Sequence, residues 1–150
     1  MAKVVDKIAP VGEIKQKFGY IKVDEAMTVT VPRDKLLEFM QGIKDEFALD
    51  YLTNETAVDY PEENKFEVVY NINSIEKGYS LMVKTDVDRD NPVIPSVFPI
   101  WGGANWQERE IYDLLGIVFT GHPNLKRILL DDQFEGHPLR KDFQWEGGRE

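Results

Sequence analysis

Four ionisable side chains, Glu108, Arg109, Glu110 and Asp113, lie within one segment of six residues. Arg109 and Asp113 lie four positions apart, the spacing of an ion pair on one face of a helix. Such a pair is typical of a solvated helix surface. The same charges suit a docking surface, where a partner must pair them because unpaired buried charges are costly. From the charges alone, both interpretations stay open.

A second interpretation of the same segment is acid–base catalysis by Glu108, Glu110 and His122. Residues two apart on a helix point about 200° away from each other, so Glu108 and Glu110 do not form a carboxylate pair. The two histidines, His122 and His137, are each followed by proline and have no set of further ligands beside them. Lone histidines of this kind usually make structural hydrogen bonds. We therefore expect no catalytic residue and no metal ligand.

The composition excludes several classes of function. The chain has no cysteine, which rules out disulfides, thiolate ligation of iron–sulfur clusters and a cysteine nucleophile. The net charge of −9 disfavours nucleic acid as a partner. No signal peptide is recognisable, and no apolar run reaches the ~18 residues of a membrane helix. We expect a soluble, intracellular protein that reaches a membrane only through partner proteins.

The segments that must position these residues begin with a compact domain over residues 1–92. Hydrophobic periodicity predicts two helices, over residues 3–18 and 33–47, the first of them weakened by Pro10. It also predicts five strands, over residues 20–24, 26–31, 49–60, 65–72 and 79–87. The first helix precedes all five strands, and the second lies between the second and third strands. This order predicts an α+β fold, in which a small mixed β-sheet is covered by helices on one face.

The segment 93–150 has a different character. A proline-containing loop leads to a predicted helix over 104–115, which Gly116 ends, and to a short strand over 117–119. From Thr120 the sequence predicts an extended irregular tail. That tail contains large apolar residues, namely Ile128, Leu129, Leu130, Phe134, Leu139, Phe143 and Trp145. Because an irregular tail cannot bury so many apolar groups alone, we expect it to lie across another protein and to form one structural unit with the first part.

The order of residues in this second segment is that of a known family. It reads Pro95-Ser96, Trp106, Glu108-Arg109-Glu110, Asp113, Gly116-Ile117, Gly121-His122-Pro123, Lys126-Arg127-Ile128, Pro138-Leu139-Arg140-Lys141-Asp142. This pattern closely resembles the 30-kilodalton (C) subunit family of respiratory complex I. The family includes homologues in energy-converting membrane-bound hydrogenases and related ferredoxin-linked complexes. The resemblance is strong over residues 93–143 and looser before them.

The resemblance implies a non-catalytic docking subunit in the peripheral arm of a complex I-like oxidoreductase, one that passes electrons from NADH, F420H2 or ferredoxin to quinone. It implies no cofactor in this chain, with iron–sulfur clusters in partner subunits. The implied partners are the large hydrogenase-like (49 kDa-type) subunit, an adjacent iron–sulfur subunit and, through them, the membrane arm on the cytoplasmic face of the cell membrane. No small molecule is expected to bind directly. The expected docking residues are Trp106, Glu108, Arg109, Glu110, Asp113, His122, Lys126, Arg127, Arg140, Lys141 and Asp142.

Two alternatives remain besides the stand-alone enzyme. One is the equivalent subunit of an energy-converting membrane-bound [NiFe] hydrogenase or sulfur-reducing complex coupled to ion pumping. The other is a free-standing adaptor outside respiration. For the docking subunit, reversing the charge of Arg109 or Arg127 is expected to abolish co-purification with the large subunit and to leave the isolated domain folded.

Overall fold

A computed structural model describes residues 7–131 and 133–144. The strands are β1 (Lys7–Ile8), β2 (Lys22–Val23), β3 (Val29–Thr30), β4 (Tyr51–Tyr60), β5 (Lys65–Ser74), β6 (Tyr79–Asp88), β7 (Val93–Pro95) and β8 (Val118–Thr120). The helices are α1 (Val11–Lys17), α2 (Leu36–Phe47) and α3 (Ala104–Leu115), with 3-10 turns at Arg33–Lys35 and Pro61–Glu63. Within the described ranges, no helix is both long and apolar enough to cross a bilayer.

The main sheet is mixed, as predicted. Its strand order is β2-β3-β6-β5-β4, and β1 is added as a further partner of β6. β1 and β3 run parallel to β6, whereas the β4–β5 and β5–β6 pairs are antiparallel. In β5, Phe66, Val68, Tyr70 and Ile72 are buried, and the residues between them are partly exposed. This alternation orients one face of the sheet towards the core.

Helix α2 covers this face with the apolar stripe that the periodicity predicts. Leu36, Phe39, Met40 and Ile43 are all buried. The first turn of the predicted helix, Arg33–Lys35, is a 3-10 turn that leads into α2. The α+β fold with helices against one sheet face is therefore confirmed.

The N-terminal helix predicted over residues 3–18 is wrong in its first half. Lys7–Ile8 pairs with Tyr79–Ser80 as a parallel strand, and the helix begins only after Pro10. Proline removes an amide donor and is disfavoured inside a helix, so the helix begins at Val11. Residues 3–6 of the prediction lie outside the described residues.

Three further segments differ from their predicted form. β2 and β3 are two residues each, joined through a turn in which Met27 has a φ of 64°. The loop predicted after Asp90 contains strand β7, which pairs in parallel with β8. A three-residue strand that ends in Pro95 is too short for a periodicity to be recognised.

One hydrophobic core joins the segments on either side of residue 92. Ile94, Val97, Ile111 and Phe119 belong to the same buried cluster as the residues of β5 and α2. The indole Nε1 of Trp101 also donates to Leu49 O across this boundary, at 3.2 Å. These contacts place α3 firmly on the sheet, next to β4.

Candidate docking surface around helix α3

Helix α3 spans the residues predicted for it and ends at Gly116. Gly116 has a φ of 82°, in the left-handed region that glycine adopts without strain. A Cβ at this position would lie 2.7 Å from Cδ2 of His137 and 2.8 Å from an Nη of Arg140. Glycine is therefore required both by the backbone angle and by the close approach of the tail.

Asp113 connects α3 to the tail. This side chain is fully buried, and its Oδ2 accepts backbone N–H bonds from Ile128, Leu129 and Leu130 at 2.7–3.0 Å. Its Oδ1 lies 2.8 Å from Nε of Arg127. Burial alone would raise the pKa of Asp113, but the three amide donors and the Arg127 charge together lower it below its usual value. Asp113 is thus a buried carboxylate that is paired inside the chain.

The Arg127 guanidinium is also used internally. It donates to the carbonyl oxygens of Asp113, Phe134 and Gly136, and lies 5.6 Å from the centre of the Phe134 ring. The side chain is only 9% exposed. The contacts of Arg127 are thus with α3 and the tail of its own chain, and the docking role expected of it stays a prediction.

The tail satisfies the carbonyl groups that the C-terminal end of α3 leaves open. Arg127 Nη2 and His137 Nδ1 contact Asp113 O at 3.0 Å, the Leu139 amide donates to Leu114 O at 2.9 Å, and Arg140 Nε donates to Leu115 O at 2.7 Å. These carbonyls have no partner within a helix and carry its partial negative charge. Cationic and amide donors from the tail complete the helix end.

A second anchor fixes the tail to the end of β4. Asp59 accepts two bonds from Arg89, at 2.6 and 2.9 Å, and one from the Lys141 amide at 2.8 Å. The bonds from Arg89 are the main cause that lowers the pKa of Asp59. Arg89 also pairs with Asp142 at 3.0 Å. The irregular tail is therefore held on the chain's own surface at two places.

Arg109 does not form the predicted pair with Asp113. Its Nε and Nη2 donate to the carbonyl oxygens of Lys126 and Arg127, at 3.1 and 3.3 Å. Its guanidinium lies 4.8 Å from the centre of the Trp106 ring, and Trp106 is 58% exposed. The arginine therefore holds an exposed indole against the helix surface by a cation–π contact.

Glu108 is fully buried, where it accepts bonds from Ser96 Oγ at 2.5 Å and the Val97 amide at 3.0 Å. Glu108 and Asp113 are both fully buried and make their contacts within this chain, and the docking role expected of them stays a prediction. His122 accepts from the Asn124 amide through Nδ1 at 2.9 Å. Its Nε2 therefore carries the proton and donates to the carbonyl oxygen of Asn105 at 3.0 Å.

Of the predicted docking residues, the structure turns Trp106, Glu110, Lys126, Lys141 and Asp142 outward and uses the others largely for internal contacts. The exposed apolar residues Leu129 and Leu139 add to this set. Sequence reasoning missed Glu55, Asp59 and Arg89, which contact α3 or the tail from the sheet. Glu55 and Asp59 lie on β4 and Arg89 directly follows β6, so none of the three belongs to a local sequence motif.

The described residues contain no group of three or more His, Asp, Glu or Cys side chains placed to hold a metal ion. The absence of cofactors in this chain stays a prediction.

The family described as the 30 Kd subunit of the respiratory-chain NADH dehydrogenase matches residues 29–149. The chain belongs to this family.

Two relatives show how far the similarity extends. The NADH-quinone oxidoreductase C subunit of Moorella thermoacetica is 45% identical over 141 residues, which are 91% of this chain and 95% of that protein. The mitochondrial NADH-ubiquinone oxidoreductase 30.4 kDa subunit of Neurospora crassa is 43% identical over 88% of this chain and 47% of its own length. Similarity therefore extends over nearly the whole chain in bacterial and mitochondrial members alike.

Two solved structures share the fold. The trypsin-resistant fragment of Nqo5 aligns with a TM-score of 0.66 and 34% identity, over 77% of this chain and 96% of the fragment. A chain of the membrane-bound sulfane sulfur reductase, an archaeal respiratory membrane complex, aligns with a TM-score of 0.76 and 30% identity, over 89% of this chain and 83% of that one. This family member is a subunit of a complex I-like assembly, whose relatives occur in membrane-bound complexes.

Proposed function

We propose that this chain is a non-catalytic docking subunit in the peripheral arm of a complex I-like oxidoreductase that delivers electrons to quinone. In this role it packs on the large hydrogenase-like (49 kDa-type) subunit, beside an iron–sulfur subunit, on the cytoplasmic face of the membrane. The membrane arm is reached through these partners. Family membership and the name of the 45% identical relative support the quinone-linked form.

The exposed Trp106 is the observation that carries the docking role. Trp106 is 58% exposed, so much of its large apolar surface is left for a partner to cover. Arg109 restricts its orientation through the contact at 4.8 Å, so little conformational entropy remains to be lost on binding. Tryptophan held in this way is typical of the residues that contribute most to interface affinity.

The surroundings of Trp106 give the docking surface, defined here as Trp106, Glu110, Lys126, Leu129 and Leu139. Glu110 lies one helical turn after Trp106 and is exposed. Lys126 lies beside this helix because its carbonyl oxygen accepts from Arg109. Leu139 lies at the C-terminal end of α3, where its amide donates to Leu114 O. An apolar centre with a polar, solvent-accessible rim is the usual anatomy of a protein interface.

Trp106→Ala tests the proposal. The isolated chain should keep its thermal midpoint, because exposed substitutions usually change stability by less than about 0.5 kcal/mol. Affinity for the large subunit should fall by roughly 30-fold, which corresponds to about 2 kcal/mol. Co-purification of the tagged chain with its partner subunits, identified by mass spectrometry, measures the loss.

Tyr51→Ala is the matched control, because Tyr51 is an aromatic residue of similar exposure at the start of β4. It should leave assembly unchanged. Normal assembly of the Trp106 variant, or equal losses with both variants, would remove the support for this surface.

The similarity to the sulfane sulfur reductase chain favours a second candidate, the equivalent subunit of a hydrogen- or sulfur-metabolising membrane complex. The same docking surface serves both. Activity of the purified complex distinguishes them, because quinone reduction supports the first candidate and proton or sulfur reduction the second.

A further inference from the structure

Two carboxyl groups and a phenol are enclosed between α3 and the sheet. Glu55 of β4 is the direct cross-strand partner of Tyr70 of β5, so both side chains lie on the same sheet face. Glu55 is 4% exposed, and Tyr70 and Glu108 are fully buried. Glu108 approaches the same place from α3, whose Gln107 accepts a bond from the Glu55 amide at 2.5 Å. Water has no free access to the two carboxyl groups.

The two carboxyl groups have different partners. The oxygens of Glu108 accept from Ser96 Oγ and from the Val97 amide, so two donors stabilise its ionised form. Both oxygens of Glu55 are buried, and no donor among the described residues reaches them. The buried Tyr70 Oη also has no partner within that part of the chain. An ionised Glu55 would thus be a buried charge next to a second carboxylate, with nothing to stabilise it.

We propose that Glu55 and Glu108 hold one proton between them in the folded chain, carried by Glu55 and donated to the Glu108 carboxylate. A protonated carboxyl group is a hydrogen-bond donor, so this single proton provides Glu55 with a partner and removes one of two like charges. The shared proton links Glu55 of β4 directly to Glu108 of α3 by a hydrogen bond. The inference is independent of the proposed docking function.

The electrostatic environment agrees with this assignment. Burial, followed by the charge of Glu108, raises the pKa of Glu55 well above its usual value. Burial also raises the pKa of Glu108, although the bonds from Ser96 and Val97 oppose that effect. The titratable groups of the described residues that face the pair are Tyr70 on β5 and His122 beyond β8.

A raised pKa in the folded state determines how stability changes with pH. The contribution of such a group is fully present below the unfolded pKa and is lost as the pH rises through the folded pKa. Between these two pKa values the pair should therefore hold about one proton more in the folded chain than in the unfolded chain, and the denaturation midpoint should fall as the pH rises from the unfolded pKa towards the folded pKa of Glu55.

Infrared spectroscopy of the full wild-type chain at neutral pH gives the first test. We expect a carbonyl band of a protonated carboxylic acid, which Glu55→Gln removes. Glu62→Gln is the matched control, because Glu62 is exposed and lies next to the same strand. Its band should equal that of the wild type. A wild-type chain without this band, or a Glu55→Gln chain that retains it, would overturn the proposal.

Denaturation at several pH values gives the second test. Glu55→Gln should remove this decrease of the midpoint with rising pH, because glutamine also donates to Glu108 and does not titrate. Glu108→Gln should lower the midpoint much more, since it loses the charged acceptor of Ser96 and Val97. Equal effects of the two substitutions would contradict the assignment of the proton to Glu55. If neither variant folds, carbon-13 NMR of the wild-type glutamate carboxyls decides, because independent titration at ordinary pH values would refute a shared proton.

Discussion

The contacts of Asp113 lead to a quantitative prediction for Asp113→Asn. Asparagine keeps the volume but replaces one oxygen by an NH2 group. The oxygen of asparagine can still accept from the amides of Ile128, Leu129 and Leu130. Its NH2 group then takes the place of the carboxylate oxygen that lies 2.8 Å from Arg127 Nε, so that two donors face each other. In the opposite orientation, the NH2 group faces three amide donors. Donor therefore meets donor either way, and the arginine charge loses its counter-ion.

Breaking a buried ion pair by removing one partner costs about 3–5 kcal/mol. The cost should appear mainly as detachment of the tail, because α3 also packs on the sheet through Ile111 and Leu115, which the substitution does not touch. The lower figure, about 3 kcal/mol, corresponds to roughly a 150-fold increase in local opening. Amide hydrogen exchange of residues 128–130 should accelerate by about this factor, whereas exchange in β5 should not change.

Glu110→Gln provides the control, because this carboxylate lies on the same helix and is exposed. Its exchange pattern should equal that of the wild type. Since the pKa of Asp113 is lowered by folding, its contribution is lost as the pH falls through the folded pKa. Wild type and Asp113→Asn should therefore converge in acid. Unchanged exchange of residues 128–130 in the variant at neutral pH would refute the role of Asp113 as the anchor of the tail.

Two further substitutions test the remaining anchors. Gly116→Ala should lower the free energy of unfolding by about 1–2 kcal/mol or more, because the left-handed φ disfavours a side chain and the new Cβ would meet His137. Thermal denaturation measures the loss, and Gly102→Ala is the control because the space around Gly102 is open. Asp59→Asn should lower the free energy of unfolding by about 1.5–3 kcal/mol, because it loses the charged bonds to Arg89. Since folding lowers the pKa of Asp59, the difference from wild type should vanish as the pH falls through the folded pKa. A chemical-denaturation midpoint that does not change at neutral pH would refute the latter.

Helix α3 and the long strands followed from local patterns in the sequence. Ala104–Leu115 begins and ends as predicted, because helix-forming residues precede a glycine whose backbone angle ends the helix. β5 and β6 were predicted to within two residues at each end, since alternation over ten residues is a strong signal. β1 was not predictable, because a two-residue strand depends on its pairing with β6.

The candidate site was predictable in its residues but not in its contacts. Charge spacing within one helix suggested an Arg109–Asp113 pair, whereas Asp113 pairs with Arg127 from fourteen positions later. The apolar tail was expected to need another protein, yet Arg127 and Asp59 hold its backbone on the chain itself. Long-range pairing of this kind depends on the tertiary fold, which periodicity does not encode.

The closure of α3 by the tail has a consequence for biosynthesis. The carbonyls of Leu114 and Leu115 accept from Leu139 and Arg140 of the tail, and the tail's second anchor is at Lys141. A ribosome that has released the helix has not yet released these donors, so α3 emerges with an unfinished end. The proposed docking surface around it is complete only after translation has passed these residues. Recruitment of a partner to this surface is therefore expected only once residues 139–141 have left the ribosome.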